Sequence, residues 1–291
     1  MNRYAREIVL FGVFGVSLSA IFGRVCTADG TVTALYRMAF AAILLSPAAF
    51  LRCRSELAAA GRRTVLLCVL IGAALGCHFA CYLTSLQYTG IASSTVLVDT
   101  EVLFVVLASF FLFRERISRR SLLGIALALG GSVLIAVGDR SGGTQSLYGD
   151  LLAVGGAVFT AVYTLIGRTA RKHLSTTAYT FLVYTAASLT LLCAAAVSGV
   201  PLTGYPKTDY LAALGMTLCC TFLGHSIFSW GLRYVSVAFV STAKLGEPVF
   251  ATLLGILLFS ELPSRDQILG GIAVLCGIFL CLTAERAAQE N

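Results

Sequence analysis

The sequence predicts an all-α integral membrane protein whose ten transmembrane helices form two inverted five-helix repeats. Three observations support this: an apolar composition, long apolar runs between short polar segments, and an internal repeat with an odd number of runs in each half. Of the 291 residues, 58% are hydrophobic and 12% are charged, whereas a typical soluble domain carries ~25% charged residues. The composition therefore excludes an ordinary soluble domain.

Ten apolar runs are candidates for membrane helices, each of which needs ~20 residues to cross the hydrocarbon core. The runs cover residues 8–22, 32–51, 65–88, 91–113 and 122–137, and then 147–166, 178–197, 210–232, 235–259 and 268–284. In the third run, Gly72 and Gly76 have the spacing that permits close contact between helices. The polar segments between the runs are short, so no soluble domain is expected.

The basic residues indicate how the chain is oriented. With a cytoplasmic N-terminus, ~15 Lys and Arg residues fall in cytoplasmic segments and ~4 outside, as the positive-inside rule requires. Both termini are therefore expected in the cytoplasm. Because the net charge of +7 is concentrated in these loops, it indicates membrane orientation, and we expect no nucleic-acid partner.

The segment 99–120 matches the segment 146 positions later. The aligned pairs are Glu101 with Glu247, Phe104 with Phe250, Glu115 with Glu261, Gly124 with Gly270, and Gly131 with Gly277. The match predicts two repeats, residues 1–140 and 147–286. Because each contains five runs, the second must cross the membrane in the opposite direction. Inverted repeats with a binding site near the midplane are typical of alternating-access transporters.

Five ionisable residues lie within the predicted spans: Arg37 in span 2, Asp99 and Glu101 in span 4, and Lys244 and Glu247 in span 9. A charge at the bilayer centre costs at least ~2.5–3.5 kcal/mol on insertion scales. Each of these groups is therefore expected to face a cavity or a partner. Two cations and three carboxylates nearly balance.

Span 9 is the most informative of the ten. Lys244 and Glu247 are three residues apart and share one helix face. Pro248 removes a backbone donor, so we expect the helix to bend or break near Lys244 and assign Pro248 a structural or hinge role. We predict that Lys244 and Glu247 line a substrate cavity, with an ion pair between them as the alternative.

In span 4, Asp99 and Glu101 lie ~200° apart around an unbroken helix, so we expect only one of them to face the cavity. We assign Asp99 to the substrate or a proton and Glu101 to a structural role. Arg37 has no basic counterpart in the second half. Two roles for Arg37 are equally open: contact with the substrate, or an ion pair with a carboxylate of span 4.

Polar side chains at helical spacing mark three further spans as possible cavity walls. They are His78 and Tyr82 in span 3, Tyr163 in span 6, and His225 and Ser229 in span 8. We include all five as candidate substrate-binding residues. For the histidines, the alternative is a hydrogen-bonded packing role.

The sequence contains no motif of a catalytic or nucleotide-hydrolysing site, such as H-E-x-x-H, G-x-S-x-G or a P-loop. Cys77, His78 and Cys81 have spacing compatible with a metal, but their apolar surroundings favour packing. We therefore expect no enzyme activity, no catalytic residue, no metal and no cofactor. The energy for any transport is expected to come from a gradient.

The paired segments carry a family resemblance. Glu101-Val102-Leu103-Phe104 to Glu115-Arg116-Ile117-Ser118 corresponds to Glu247-Pro248-Val249-Phe250 to Glu261-Leu262-Pro263-Ser264. With ten short-looped spans in two halves, the chain resembles the EamA-type branch of the drug/metabolite transporter superfamily over nearly its whole length. Arg37 matches a basic residue common in span 2 of that family. The departures from the family pattern are Val102, Arg114, Ser260 and the extra carboxylate Asp99.

The resemblance implies an exporter of amino acids or other small metabolites in the cytoplasmic membrane of a bacterium, driven by proton or counter-substrate exchange. Mixed charge favours a zwitterion whose ammonium meets Asp99 and whose carboxylate meets Lys244. Organic cations, amines or drugs are the alternative, favoured by the excess of carboxylates. A receptor or membrane enzyme is disfavoured by the repeat and the missing motifs. The sequence allows a monomer or a homodimer.

Overall fold

A computed structural model of the chain describes residues 4–89, 91–113, 117–138, 146–172, 174–259 and 264–290. Within these ranges every regular element is a helix and none is a strand, which confirms the all-α prediction. Glu115 and Glu261, which the sequence repeat pairs, lie outside the described residues.

Residues at each predicted span are helical. The first half contains α1 (Ala5–Val25), α2 (Gly30–Arg52), the short α3 (Arg54–Ala59), α4 (Arg62–Tyr88), α5 (Ile91–Asp99), α6 (Glu101–Phe113) and α7 (Arg119–Gly138). The second half contains α8 (Ser146–Ala170), α9 (Thr176–Ser198), α10 (Lys207–Gly215), a π-helix (Met216–His225), α11 (Ser226–Gly231), α12 (Val237–Lys244), α13 (Glu247–Phe259) and α14 (Arg265–Glu290). The fourth and ninth predicted spans are each divided into two helices.

Seven described segments are long and apolar enough to cross a membrane, which is fewer than the ten that we expected. They are Ala5–Gly23, Gly30–Arg52, Arg62–Tyr88, Leu147–Ala170, Thr176–Ser198, Lys207–Gly231 and Arg265–Ala284. The other three predicted spans correspond to the divided pairs α5–α6 and α12–α13 and to α7. Length and composition therefore establish a chain with several membrane helices.

The outer faces of these helices are apolar. Ile43, Phe111, Leu257 and Phe279 are each more than 60% exposed. An apolar surface of this extent is unfavourable in water but matches lipid tails. Several charged side chains, among them Arg37, Glu101 and Lys244, are instead buried in the interior, where charged residues of soluble proteins are rare.

Glycines bring α7 and α14 into direct backbone contact. A Cβ at Gly131 would lie 2.5 Å from the carbonyl oxygen of Gly270, and one at Gly277 would lie 2.4 Å from that of Gly124. No side chain fits in these gaps. As residue numbers rise from 124 to 131 along α7, the contacts on α14 fall from 277 to 270, so the two helices run antiparallel.

Gly72 and Gly76 lie where α4 packs against α9, which confirms the close approach that their spacing predicts. A Cβ at Gly72 would come within 2.5 Å of the Val183 carbonyl oxygen, and one at Gly76 within 3.0 Å of the Ala187 carbonyl oxygen. The contacts advance together along both helices, so α4 and α9 run parallel.

Two buried charged side chains hold loops at the helix ends. The Asp209 carboxylate accepts hydrogen bonds from the backbone N–H groups of Thr27 and Ala28, at 3.0 and 2.7 Å. Arg171 Nε donates to the Ser229 carbonyl oxygen at 2.9 Å. These bonds satisfy backbone groups that have no helical partner, which matters most near a bilayer.

Adjacent glycines in α7 provide a matched test of the α7–α14 contact. We expect Gly131→Ala to lower stability by ~1–3 kcal/mol, since the new methyl group overlaps the Gly270 carbonyl. Gly130→Ala should be neutral or stabilising by up to ~1 kcal/mol, because nothing lies within 4 Å of its Cβ position and Ala favours helix. Thermal unfolding of the purified variants measures both effects. Equal stability of the two variants would contradict the packing.

Candidate functional site

Two helix breaks meet in the centre of the molecule. The first separates α5 from α6 at Thr100, and the second separates α12 from α13 at Leu245 and Gly246. The second is the break that Pro248 predicts. Pro248 is the second residue of α13, a position where its missing N–H removes no helical hydrogen bond.

The first break was not expected from the sequence, because Val102 stands where the second half has Pro248. Instead, the Thr100 hydroxyl donates to the Leu97 carbonyl oxygen at 2.5 Å. Such a local bond offers the backbone an alternative to the helical ladder. The alignment of spans 4 and 9 was the one signal in the sequence that pointed to this break.

A salt bridge joins the two breaks. Lys244 Nζ donates to Glu101 Oε1 at 2.7 Å, and both side chains are buried. Lys244 is the last residue of α12 and Glu101 the first of α6, so each charge has the sign that its helix terminus favours. This bond connects the two halves, whereas the sequence offered an ion pair within span 9, between Lys244 and Glu247, as the alternative.

A small cavity lies beside this salt bridge. Eight of the residues singled out from the sequence line it: Arg37, His78, Tyr82, Asp99, Glu101, His225, Lys244 and Glu247. Both Asp99 and Glu101 take part, although an unbroken helix would turn them to different sides. The break at Thr100 removes that constraint, and the expectation that only one of them faces the cavity is wrong.

Tyr163 and Ser229 are buried next to the cavity but are not among the residues that line it. The Ser229 hydroxyl donates to the His225 carbonyl oxygen at 2.8 Å and lies 2.7 Å from the Tyr163 hydroxyl. Since the Ser229 proton is already used, Tyr163 is the donor in the second bond. Substrate contact by this pair stays a prediction.

Arg37 is fully buried and crosses from α2 toward the π-helix. Its Nε donates to the Thr221 hydroxyl at 2.8 Å and its Nη1 to the Ser19 hydroxyl at 3.2 Å. The guanidinium lies 4.2 Å from the centre of the Phe79 ring, a cation–π distance. Neutral partners therefore hold Arg37 without cancelling its charge.

The two histidines of the cavity lining lie close together. His78 Nδ1 lies 3.1 Å from the Gly156 carbonyl oxygen; because a carbonyl only accepts, this nitrogen carries the proton. The His78 ring is parallel to that of Tyr82 and its centre lies 6.3 Å from that of His225. His225 ends the π-helix, a rare element that is frequent at functional sites.

Several buried polar atoms around the cavity have no hydrogen-bond partner among the described residues. They are Arg37 Nη2, Asp99 Oδ2, Glu101 Oε2 and His225 Nδ1. Because an unpaired buried polar atom costs ~1–3 kcal/mol, and more when charged, such atoms are rare in folded proteins. Four such atoms border one cavity, so a polar ligand there would meet both donors and acceptors.

Sequence reasoning missed the apolar and hydroxyl part of the lining: Ser19, Phe79, Thr95 and Phe228. Lys244 Nζ lies 5.5 Å from the centre of the Phe228 ring, and the Thr95 hydroxyl lies 3.4 Å from that of Tyr82. A Phe in an apolar span carries no functional signal. In the sequence, Phe79 nevertheless follows His78 and Phe228 precedes Ser229, and His78 and Ser229 are both candidate binding residues.

Broken helices whose ends meet at a buried charged cavity are typical of secondary membrane transporters. Comparison with known proteins gives the family. The sequence model of the EamA-like transporter family matches residues 8–137 and 147–283. The chain belongs to the EamA-like transporter family, which points to a transporter and not to an enzyme.

Relatives with this likeness occur in bacteria and archaea. An uncharacterized transporter of Archaeoglobus fulgidus is 27% identical over 85% of this chain and 86% of its own. The uncharacterized transporter YetK of Bacillus subtilis is 27% identical over 72% of this chain and 67% of its own. An uncharacterized transporter of Clostridium kluyveri is 22% identical over 71% of this chain and 68% of its own. A crystal structure matches with a TM-score of 0.80 at 19% identity, covering 98% of this chain and 100% of that chain, which shows a shared fold.

The salt bridge makes a prediction about stability. We expect Lys244→Met to destabilise the protein by roughly 3–5 kcal/mol, because it leaves the Glu101 carboxylate buried without its cation. Glu101→Gln should cost less, since Asp99 and Glu247 remain near Lys244. The double variant should recover much of the loss. Thermal unfolding of the four proteins forms a double-mutant cycle, with the exposed Lys207→Met as control. Strictly additive losses would show that the two residues act independently.

Proposed function

We propose that the protein is a secondary active transporter that exports a small zwitterionic metabolite, most simply an amino acid, by alternating access. The single observation that carries the proposal is a buried cavity lined by both cations and carboxylates, with unpaired atoms of Arg37, Asp99 and Glu101 around it. A zwitterion presents one group of each sign. Of the ligands considered, it matches this lining best.

Ten membrane crossings in two inverted repeats are part of the proposal. The matched family segments, 8–137 and 147–283, coincide closely with the two predicted repeats. The glycine contacts support the inversion. Under the repeat offset of 146 residues, Gly124 corresponds to Gly270 and Gly277 to Gly131, so the contact of Gly124 with Gly277 corresponds to that of Gly270 with Gly131. Both contacts are present. Contacts that map onto each other when the halves are exchanged are what a two-fold axis between the halves produces.

Helix directions support the same arrangement. Contacts of Gly12 with Ile227 and of Gly15 with Leu223 make α1 antiparallel to the π-helix and α11. Ten alternating crossings predict that α4 runs parallel to α9 and that α7 runs antiparallel to α14. Both directions are observed. All of these directions follow if the chain crosses the membrane ten times in alternation.

Helix dipoles distinguish the three carboxylates. Glu101 and Glu247 begin α6 and α13, where a negative charge is favoured. Asp99 ends α5, where it is disfavoured, and its Oδ2 has no partner among the described residues. Glu101 is already paired with Lys244. These differences support Asp99 as the group that binds a substrate ammonium or a proton, and Glu101 as the structural carboxylate.

The cavity as it stands is small. Its volume is about 40 Å³, which holds about two or three water molecules, whereas small-molecule sites occupy ~300–1,000 Å³. A substrate therefore requires the halves to move apart on one side, as alternating access provides. Three carboxylates against two cations leave one negative charge, which a proton or a counter-substrate ammonium neutralises. This supports coupling by proton or counter-substrate exchange.

Export of an organic cation, amine or drug is the second candidate. It is favoured by the salt bridge itself, because Glu101 already occupies Lys244. Asp99 and Glu247 then line the cavity as carboxylates that form no salt bridge among the described residues. In this alternative Lys244 has a structural role only. A receptor without transport has no feature of the site in its favour.

Transport by reconstituted protein separates the two candidates. We expect proteoliposomes to take up labelled amino acids, with Asp99→Asn and Lys244→Ala each lowering uptake per amount of folded protein at least ~10-fold, since each removes a charged contact to the zwitterion. Lys207→Ala, at an exposed helix start, is the control. Uptake of an organic cation that is lost in Asp99→Asn but kept in Lys244→Ala would select the second candidate. Amino-acid uptake at the level of protein-free liposomes would exclude the first.

The location of the termini has its own test. We expect a green fluorescent protein fused to the C-terminus to fluoresce in bacterial cells and an alkaline phosphatase fusion at the same point to be inactive, because both report a cytoplasmic end. The opposite pattern would contradict a cytoplasmic C-terminus and with it the orientation predicted from the basic residues.

A further inference from the structure

A second and much larger cavity, of about 470 Å³, lies at one end of the molecule. It is bounded by the start of α7, the end of α8, the turn between α11 and α12, and the end of α14. The orientation predicted from the basic residues places this end on the cytoplasmic side. The central cavity described above has a separate lining, so this is a second site.

The charge of this end cavity is one-sided. Its lining includes Arg168, Lys172 and Arg233 and, within the described part of the chain, no Asp or Glu. Burial lowers the pKa of neighbouring Arg171 and the positive charge of Arg233 lowers it further, whereas the Glu56 carboxylate raises it. Three cations from two segments of the chain therefore share this lining.

Groups that bind oxygen anions surround the three cations. Ser118 and Ser236 cap the N-termini of α7 and α12, with their hydroxyls accepting from Ser121 N and Phe239 N at 3.1 Å. Both helix starts therefore present their positive dipole ends to the cavity. Tyr234 adds a phenol to the lining. This set of donors suits a group with several acceptor oxygens and more than one charge.

The remaining wall is apolar. Leu232, Val235 and Phe239 line the same cavity, and its volume falls within the range of small-molecule sites. A ligand that fills it has a charged group at the cations and an apolar part against these side chains. Inorganic anions satisfy the first requirement alone.

We propose that this end cavity binds a phosphate group carried by a molecule with an apolar part. Two sources share this chemistry: the headgroup of an anionic phospholipid in the cytoplasmic leaflet, and a soluble organic phosphate. Basic pockets at the cytoplasmic ends of membrane helices are suited to such headgroups. The proposal does not depend on which substrate occupies the central cavity.

The single Trp of the chain reports on this cavity. The Trp230 ring centre lies 4.7 Å from that of Tyr234, which lines it. We expect dioctanoyl phosphatidic acid to change Trp230 fluorescence in a saturable way, and dioctanoyl phosphatidylcholine to do so at least ~10-fold more weakly. Glycerol 3-phosphate and naphthyl phosphate form the soluble arm, without and with an apolar part. Saturation by naphthyl phosphate would assign a soluble organic phosphate as a ligand, and saturation by phosphatidic acid alone a lipid.

A charge-matched pair of variants tests the residues. Replacing Arg168, Lys172 and Arg233 together by Gln should weaken phosphatidic acid or naphthyl phosphate binding at least ~10-fold. The control replaces Arg62, Arg63 and Arg119, which are exposed and outside the lining, and removes the same net charge. If the first variant does not fold, Arg233→Gln alone, at an exposed turn position, should still weaken binding several-fold. Equal responses to both lipids with none to naphthyl phosphate, or equal losses in the matched variants, would overturn the proposal.

Discussion

The central salt bridge between Lys244 and Glu101 is the interaction on which the interior of this protein depends. It joins the end of α12 to the start of α6, and so it connects two broken helices that belong to different halves of the chain. In a low-dielectric interior, a charge without such a partner costs several kcal/mol. The pair stabilises both breaks, and the breaks in turn bring Asp99 and Glu247 to the same cavity.

Two kinds of region surround this centre, and they differ in chemical character. Glycine contacts, such as those between α7 and α14, bring backbones together where no side chain fits. Around the cavity, by contrast, Arg37 and Asp99 retain atoms without a partner among the described residues. Close packing in one region and unpaired polar atoms in another are consistent with a rigid frame that holds a site for a polar ligand.

The two cavities differ in volume and in the charge of their lining. The central one is small, contains charges of both signs and is bordered by helix ends from both halves. The end cavity is large and lined by three cations and apolar side chains. A zwitterion and a phosphate ester have different charge distributions, and each matches one cavity. A protein in a bilayer encounters both a dissolved substrate and lipid headgroups, so the two sites need not compete.

The sequence by itself determined the membrane class, the helical fold, the presence of helix at each predicted span and eight of the residues around the central cavity. These follow from local properties: apolar runs, proline, and the cost of a charge in hydrocarbon. The tertiary structure decided that Lys244 pairs with Glu101, that Thr100 ends a helix, and that Arg37 is held by Thr221 and Ser19. Such partners are distant in the chain, and helical periodicity places a side chain on a face without specifying which helix packs against that face.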